Sequence, residues 1–174
     1  MIICGYAGIG KSFLANNVAR VIDLESTPFE TDWERYAKCA IHYDKNGYIV
    51  LLSCHQGLRD ELERQKASFI TIIPSPSDKE IYRKIYEGMG NTSEFIEVQM
   101  NFWDEWTKPK RHCGEVIRYL EPGGERLWDY MEKMNRKPDG ACYFCTYDGC
   151  PVPEGHKAEC GPAFNIEDDC CGVM

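Results

Sequence analysis

Three glycines, a lysine and a hydroxyl fall within eight residues in Gly5-Tyr6-Ala7-Gly8-Ile9-Gly10-Lys11-Ser12, which matches the spacing G-x-x-x-x-G-K-[ST] residue for residue. The chemistry that asks for those residue types in that order is the holding of a polyphosphate. Glycines let successive backbone N–H groups turn into one concavity, and a helix opening directly behind them adds partial positive charge. Lys11 supplies a mobile cation for the outer phosphates, and the Ser12 hydroxyl stands where a Mg²⁺ ligand is required. These eight positions and Phe13 are the expected nucleotide-binding residues. Farther along, Asp23 and Glu25 are carboxylates two residues apart, a pair that can hold a metal-bound water or take a proton from an attacking hydroxyl. The alternative for them is structural, with Asp23 capping a turn and Glu25 solvated.

These groups need elements to position them. Met1-Ile2-Ile3-Cys4 reads as a buried first strand and Phe13 to Val18 as the opening of a helix, the context the loop requires. Val21 to Leu24 reads as a second strand and Phe29 to Asn46 as a helix capped by Thr31 or Asp32. Tyr48 to Leu52 is the most apolar run of the chain, of strand length, and suits a central parallel strand covered on both faces. Gln56 to Lys66 is expected to be helical, Phe69 to Ile73 a strand, and Lys79 to Glu87 a helix after the Pro74-Ser75-Pro76 break. Thr92 to Trp106 resumes as helix, with Phe95, Val98, Phe102, Trp103 and Trp106 expected on its apolar side. Val116 to Leu120 completes five strands, and Glu125 to Asn135 reads as a last helix. Regular alternation of this kind predicts a three-layer α/β fold with a parallel sheet, in which ligands lie at the C-terminal ends of the strands. That rule brings Asp23 and Glu25, Ser53 and His55, and Ser75, Ser77 and Asp78 towards the loop.

At 174 residues, 43% of them hydrophobic, the chain suffices for one well-buried core and is too short for two large domains. No apolar run approaches the length of a membrane span and no export signal is read, so a soluble, cytoplasmic protein is expected. The net charge of −8 is concentrated near the C-terminus, where residues 138–174 carry seven acidic side chains against Lys157 alone. Neither part offers the basic stripe that duplex nucleic acid requires.

The glycine-rich loop, Val21-Ile22-Asp23-Leu24-Glu25-Ser26, the run Gly47 to His55 and Ile73-Pro74-Ser75-Pro76-Ser77 together resemble the small P-loop kinase-like proteins of phages and gut bacteria, related to nucleoside monophosphate kinases. The resemblance covers about residues 1–137. It implies a P-loop NTPase fold with a five-stranded parallel sheet in the nucleotide-kinase order, ATP and Mg²⁺ on the loop, and a small phosphoryl acceptor over strands two and three. By that likeness Lys11, Asp23 and Arg83 are catalytic, the segment 76–106 is a lid, and Glu25, Trp33, Ser53 and His55 are acceptor-side residues. The chain departs from the pattern twice. Its lid is poor in arginine, and Ser53 stands where many such enzymes carry an acid on strand three. A small kinase passing the γ-phosphoryl group of ATP to a nucleotide or similar acceptor is therefore one expectation. A nucleotide-binding or NTP-hydrolysing regulatory protein that docks a partner protein through its tail is the other.

The tail, residues 138–174, holds six of the ten cysteines. Cys142, Cys145, Cys150 and Cys160, with His156, are ligands of the type that tetrahedral zinc takes. A zinc knuckle, a thiol-rich segment without a fold, and disulfides all stay open as readings.

Overall fold

The structure, a computed structural model, describes residues 1–135. The cysteine-rich segment and its zinc-ligand candidates lie outside the described residues. Five strands form one sheet: β1 (Ile2–Gly5), β2 (Val21–Asp23), β3 (Ile49–Ser53), β4 (Phe69–Ile73) and β5 (Glu115–Tyr119). Every pairing is parallel, and the order across the sheet is β2-β3-β1-β4-β5. The central strand β1 is thus the one that feeds the glycine-rich loop. Its register sets Gly5 beside Ser53 on one side and Ile72 on the other.

Alternation along buried strands sends successive side chains to opposite faces. Ile3, Leu51 and Ile72 face a core completed by Leu14, Tyr82, Tyr86, Ile96, Met100, Trp103 and Leu127. Ile2, Cys4, Val50 and Leu52 face a second core with Tyr36, Ala37, Ala40, Leu58 and Leu62. Helices α2 (Trp33–Lys45) and α3 (Gln56–Arg64) therefore cover one face. Helices α1 (Lys11–Asn17), α4 (Lys79–Gly88), α5 (Ser93–Asn101), α6 (Trp103–Trp106) and α7 (Leu127–Asn135) lie on the other. The chain is α/β with a five-stranded parallel sheet.

Two expectations need correcting. The helix expected from Phe29 starts only at Trp33, because Pro28 sits in a 3-10 turn, Thr27–Phe29, and Asp32 caps α2 by accepting the Arg35 N–H at 3.0 Å. The helix expected over Thr92–Trp106 breaks at Phe102 into α5 and α6, and its apolar side is only partly as expected. Trp103 is buried and Phe95 packs against the core, with Ile96 and Met100 buried beside them, whereas Val98, Phe102 and Trp106 are 46%, 45% and 36% exposed. The segment expected as a lid is packed into the body: Tyr82, Tyr86 and Trp103 are buried, and the Trp103 indole N–H donates to the Pro76 carbonyl at 2.9 Å. Among the described residues, no helix is long and apolar enough to cross a membrane.

Candidate functional site

The loop between β1 and α1 divides its residues by direction. Tyr6 and Ile9 are buried, Tyr6 edge-on to Trp103 at 5.6 Å between ring centres, so these two side chains anchor the loop in the core. Phe13 is 59% exposed and meets Trp128 edge-on. Gly8 has φ +76°, and a Cβ there would lie 2.8 Å from the Tyr86 ring, so the position needs glycine for conformation and for space. The Tyr86 hydroxyl donates to the Ala7 carbonyl at 3.1 Å, tying α4 to the loop. Gly10, also at positive φ, caps α1. Lys11 folds back along the loop, donating to the Gly5 and Tyr6 carbonyls at 3.2 and 3.3 Å.

Beside the loop, the Ser12 hydroxyl donates to Asp23 Oδ2 at 2.6 Å. The strand ends place this pair: β1 leads into the loop, and β2 ends at Asp23 two strands away, across β3. Asp23 Oδ1 and Ser53 Oγ are buried and have no hydrogen-bond partner. Polar atoms buried without partners cost free energy; Tyr6 Oη, Tyr82 Oη and Gln99 Oε1 are also unpaired among the described residues, but Asp23 Oδ1 and Ser53 Oγ are the two at the ends of β2 and β3. Tyr36 braces the same corner from α2. Its hydroxyl donates to the Leu24 carbonyl at 2.5 Å and accepts the Ser53 N–H at 3.2 Å, locking the exits of β2 and β3 together.

Trp33 and His55 meet at the same end of the sheet, ring centres 5.3 Å apart. Gly57 is required beneath them, because any Cβ there would collide with the Trp33 indole. Burial, with the Lys11 charge adding to it, holds the His55 imidazole below its ordinary pKa, so the ring is neutral near pH 7. Glu25 is exposed on the loop leaving β2.

Of the residues expected to act together, the structure gathers Gly5 to Ser12, Asp23, Ser53, Trp33 and His55 at the C-terminal end of the sheet. Arg83 stands apart from them. Its guanidinium faces Glu80 on the same helix at 3.5 Å, and among the described residues no hydrogen bond or ion pair joins it to the loop. Asp78 has a structural role instead. It is 3% exposed and accepts the N–H groups of Gly123 and Gly124, at 3.1 and 2.8 Å, pinning the turn between β5 and α7. That turn carries Arg126 to the loop, and the Leu127 N–H donates to the Ile9 carbonyl at 2.9 Å. Arg126 and Tyr86 were not singled out from sequence, and no local spacing signals either of them.

Ser12 Oγ and Asp23 are the oxygen donors beside the loop that would hold a Mg²⁺ ion accompanying a bound polyphosphate, and oxygen donors are the type such an ion takes. Among the described residues no cluster of three or more His, Cys, Asp or Glu is arranged to hold a metal on its own. No protein-family model and no curated protein matches the chain.

Proposed function

We propose that the protein binds a nucleoside triphosphate with Mg²⁺ on Gly5 to Phe13 and passes the γ-phosphoryl group to a nucleotide or similar small acceptor lying over Asp23, Trp33 and His55. The observation that carries this reading is the Ser12–Asp23 hydrogen bond beside two buried, partnerless acceptors, Asp23 Oδ1 and Ser53 Oγ. Such atoms are accounted for when a metal-bound water and a ligand donor complete them. The strand order, with the loop on the central strand, supports a P-loop NTPase fold of the nucleotide-kinase kind.

Transfer forms a bond between an acceptor oxygen and Pγ and breaks the bond from Pγ to the β–γ bridging oxygen, releasing the nucleoside diphosphate. Where the acceptor is a hydroxyl, its proton goes to the Asp23 carboxylate; where it is a phosphate, none needs to move. Loop amides and Lys11 stabilise the charge that spreads over the phosphoryl oxygens. Trp33 and neutral His55 offer an aromatic surface for a base or other planar acceptor. Mg²⁺, when bound, supplies charge neutralisation between the β and γ phosphates.

A release assay for nucleoside diphosphate, run across nucleoside monophosphates, nucleosides and 5′-hydroxyl oligonucleotides, tests the proposal. Acceptor-dependent turnover that falls about a hundredfold or more in Lys11→Ala is expected. No turnover with any acceptor, or a variant equal to wild type, would sink it. The pairing of Arg83 with Glu80 favours a second reading, a nucleotide-binding or NTP-hydrolysing regulatory protein. In that case tight ATP binding is seen with no stimulation by any acceptor.

A further inference from the structure

Arg126 lies at the start of α7, on the far side of the sheet order from Asp23. The residue is half-buried, and its Nε and Nη2 each lie 3.7 Å from where a Cβ on Gly10 would stand. Three contacts hold the surrounding backbone in that place. Asp78 grips Gly123 and Gly124, the Leu127 N–H bonds to the Ile9 carbonyl, and the Arg126 N–H donates to Asp129 Oδ2 at 2.9 Å. The side chain itself has no ion pair or hydrogen bond among the described residues. This differs from Arg59 and Arg64, which are each bound to a carboxylate.

A guanidinium is always charged and presents a planar fork of donors suited to phosphate oxygens. Beside a loop of glycine amides, with no carboxylate bonded to its guanidinium among the described residues, it keeps its fork of donors open to a ligand in a chain of net charge −8. The segment expected to supply such cations does not do so, because Arg83 is turned to Glu80. We propose that Arg126 is the second cation of the donor site, entering from the β5–α7 turn to bind phosphate oxygens of a triphosphate cradled at Gly5 to Ser12. The inference rests on the triphosphate-binding half of the proposed function and is independent of whether transfer follows. Lys11 and Arg126 then approach the polyphosphate from different elements, one from within the loop and one from the edge of the sheet. Their placements are fixed separately, the first by the β1–α1 connection and the second by Asp78.

The test is equilibrium titration of the full chain with ATP and, separately, with inorganic tripolyphosphate, which has no base or sugar. Wild type, Arg126→Ala, Arg126→Gln and Lys11→Ala are compared, each with a thermal melt. Arg126→Gln keeps a planar polar head, so a packing defect from truncation does not decide the outcome. Both Arg126 variants are expected to bind both probes about tenfold or more weakly, with a shallower dependence on salt. Loss of ATP affinity alone, with tripolyphosphate unchanged, means the side chain meets the base and overturns the phosphate assignment. Arg126 variants equal to wild type while Lys11→Ala is weakened overturn it and leave the loop reading standing. A wild-type protein that binds neither probe removes both.

Discussion

Among the described residues, the polar cluster between α3 and β5 and the one beside the loop treat their hydrogen-bonding groups in opposite ways. Between α3 and β5, Arg59 and Glu115 are 2% and 0% exposed, and they form a forked pair at 2.9 Å through Nε and Nη2. Glu115 also accepts from the Thr71 hydroxyl and the His112 N–H, and Arg59 donates further to Gln56 and to the Lys110 carbonyl. At the loop, Asp23 has one oxygen bonded and one orphaned, and Ser53 Oγ has no partner. The first cluster is complete within the protein. The second leaves two polar atoms unpaired among the described residues, so the two clusters differ in how fully the protein itself satisfies them.

Breaking the completed cluster gives the largest expected effect. Arg59→Met strands a buried carboxylate and is expected to cost about 3–5 kcal/mol in urea unfolding. Adding Glu115→Leu to it should restore most of that loss, since well-packed apolar pairs replace buried ion pairs at little cost. A double variant as unstable as the single one would mean the network does more than hold the fold. Asp23→Asn makes the reverse test. Stability is expected to change by about 1 kcal/mol at most, the scale of one hydrogen bond and far below the Arg59→Met loss, while Mg²⁺-dependent turnover drops about a hundredfold.

Acid sharpens the contrast further. Burial alone would raise the Glu115 pKa, but the hydrogen bond from Arg59, then Thr71 and the His112 N–H, outweigh it and hold the carboxyl below its ordinary value of 4.5. Its contribution is fully present above that value and is lost as pH falls through the lower folded one. Denaturant unfolding between pH 3 and 6 should show this loss, and Glu115→Gln should flatten it. The smallest effect belongs to His55, whose folded pKa lies below 6.5. Its contribution is present above pH 6.5 and wanes as pH falls through the folded value, so His55→Gln should slightly reduce the acid sensitivity of the wild-type stability curve.

Much of the loop side was legible in the sequence because its parts are local. The spacing of Gly5 to Ser12 and the positions of Asp23, Ser53 and His55 at strand ends follow from chain order and the geometry of parallel sheets. Arg126 and Tyr86 were not legible, because each meets the loop across a long stretch of chain with no motif to mark it. The segment of α5 and α6 was legible only in part. Apolar residues spaced by three and four run along more than one side of it, so Phe95 and Trp103 were placed correctly while Val98, Phe102 and Trp106 were not, and the packing of Trp103 against Tyr6 and Tyr82 sets the buried side. Glu115 lay just outside the strand expected from Val116, and its burial depends on Arg59 reaching across from α3.

The bond from Leu127 to Ile9 has a consequence in time. The contacts that brace the loop from α7 lie more than a hundred positions after it in the chain, beyond β5 at the edge of the sheet. Contacts this distant form late, because the entropy of closing so large a loop must be met before they contribute. A chain folded only as far as β4 would carry the whole glycine-rich motif without the backbone bond from Leu127 that braces it, so the finished shape of the loop depends on the last strand and helix as well as on its own residues.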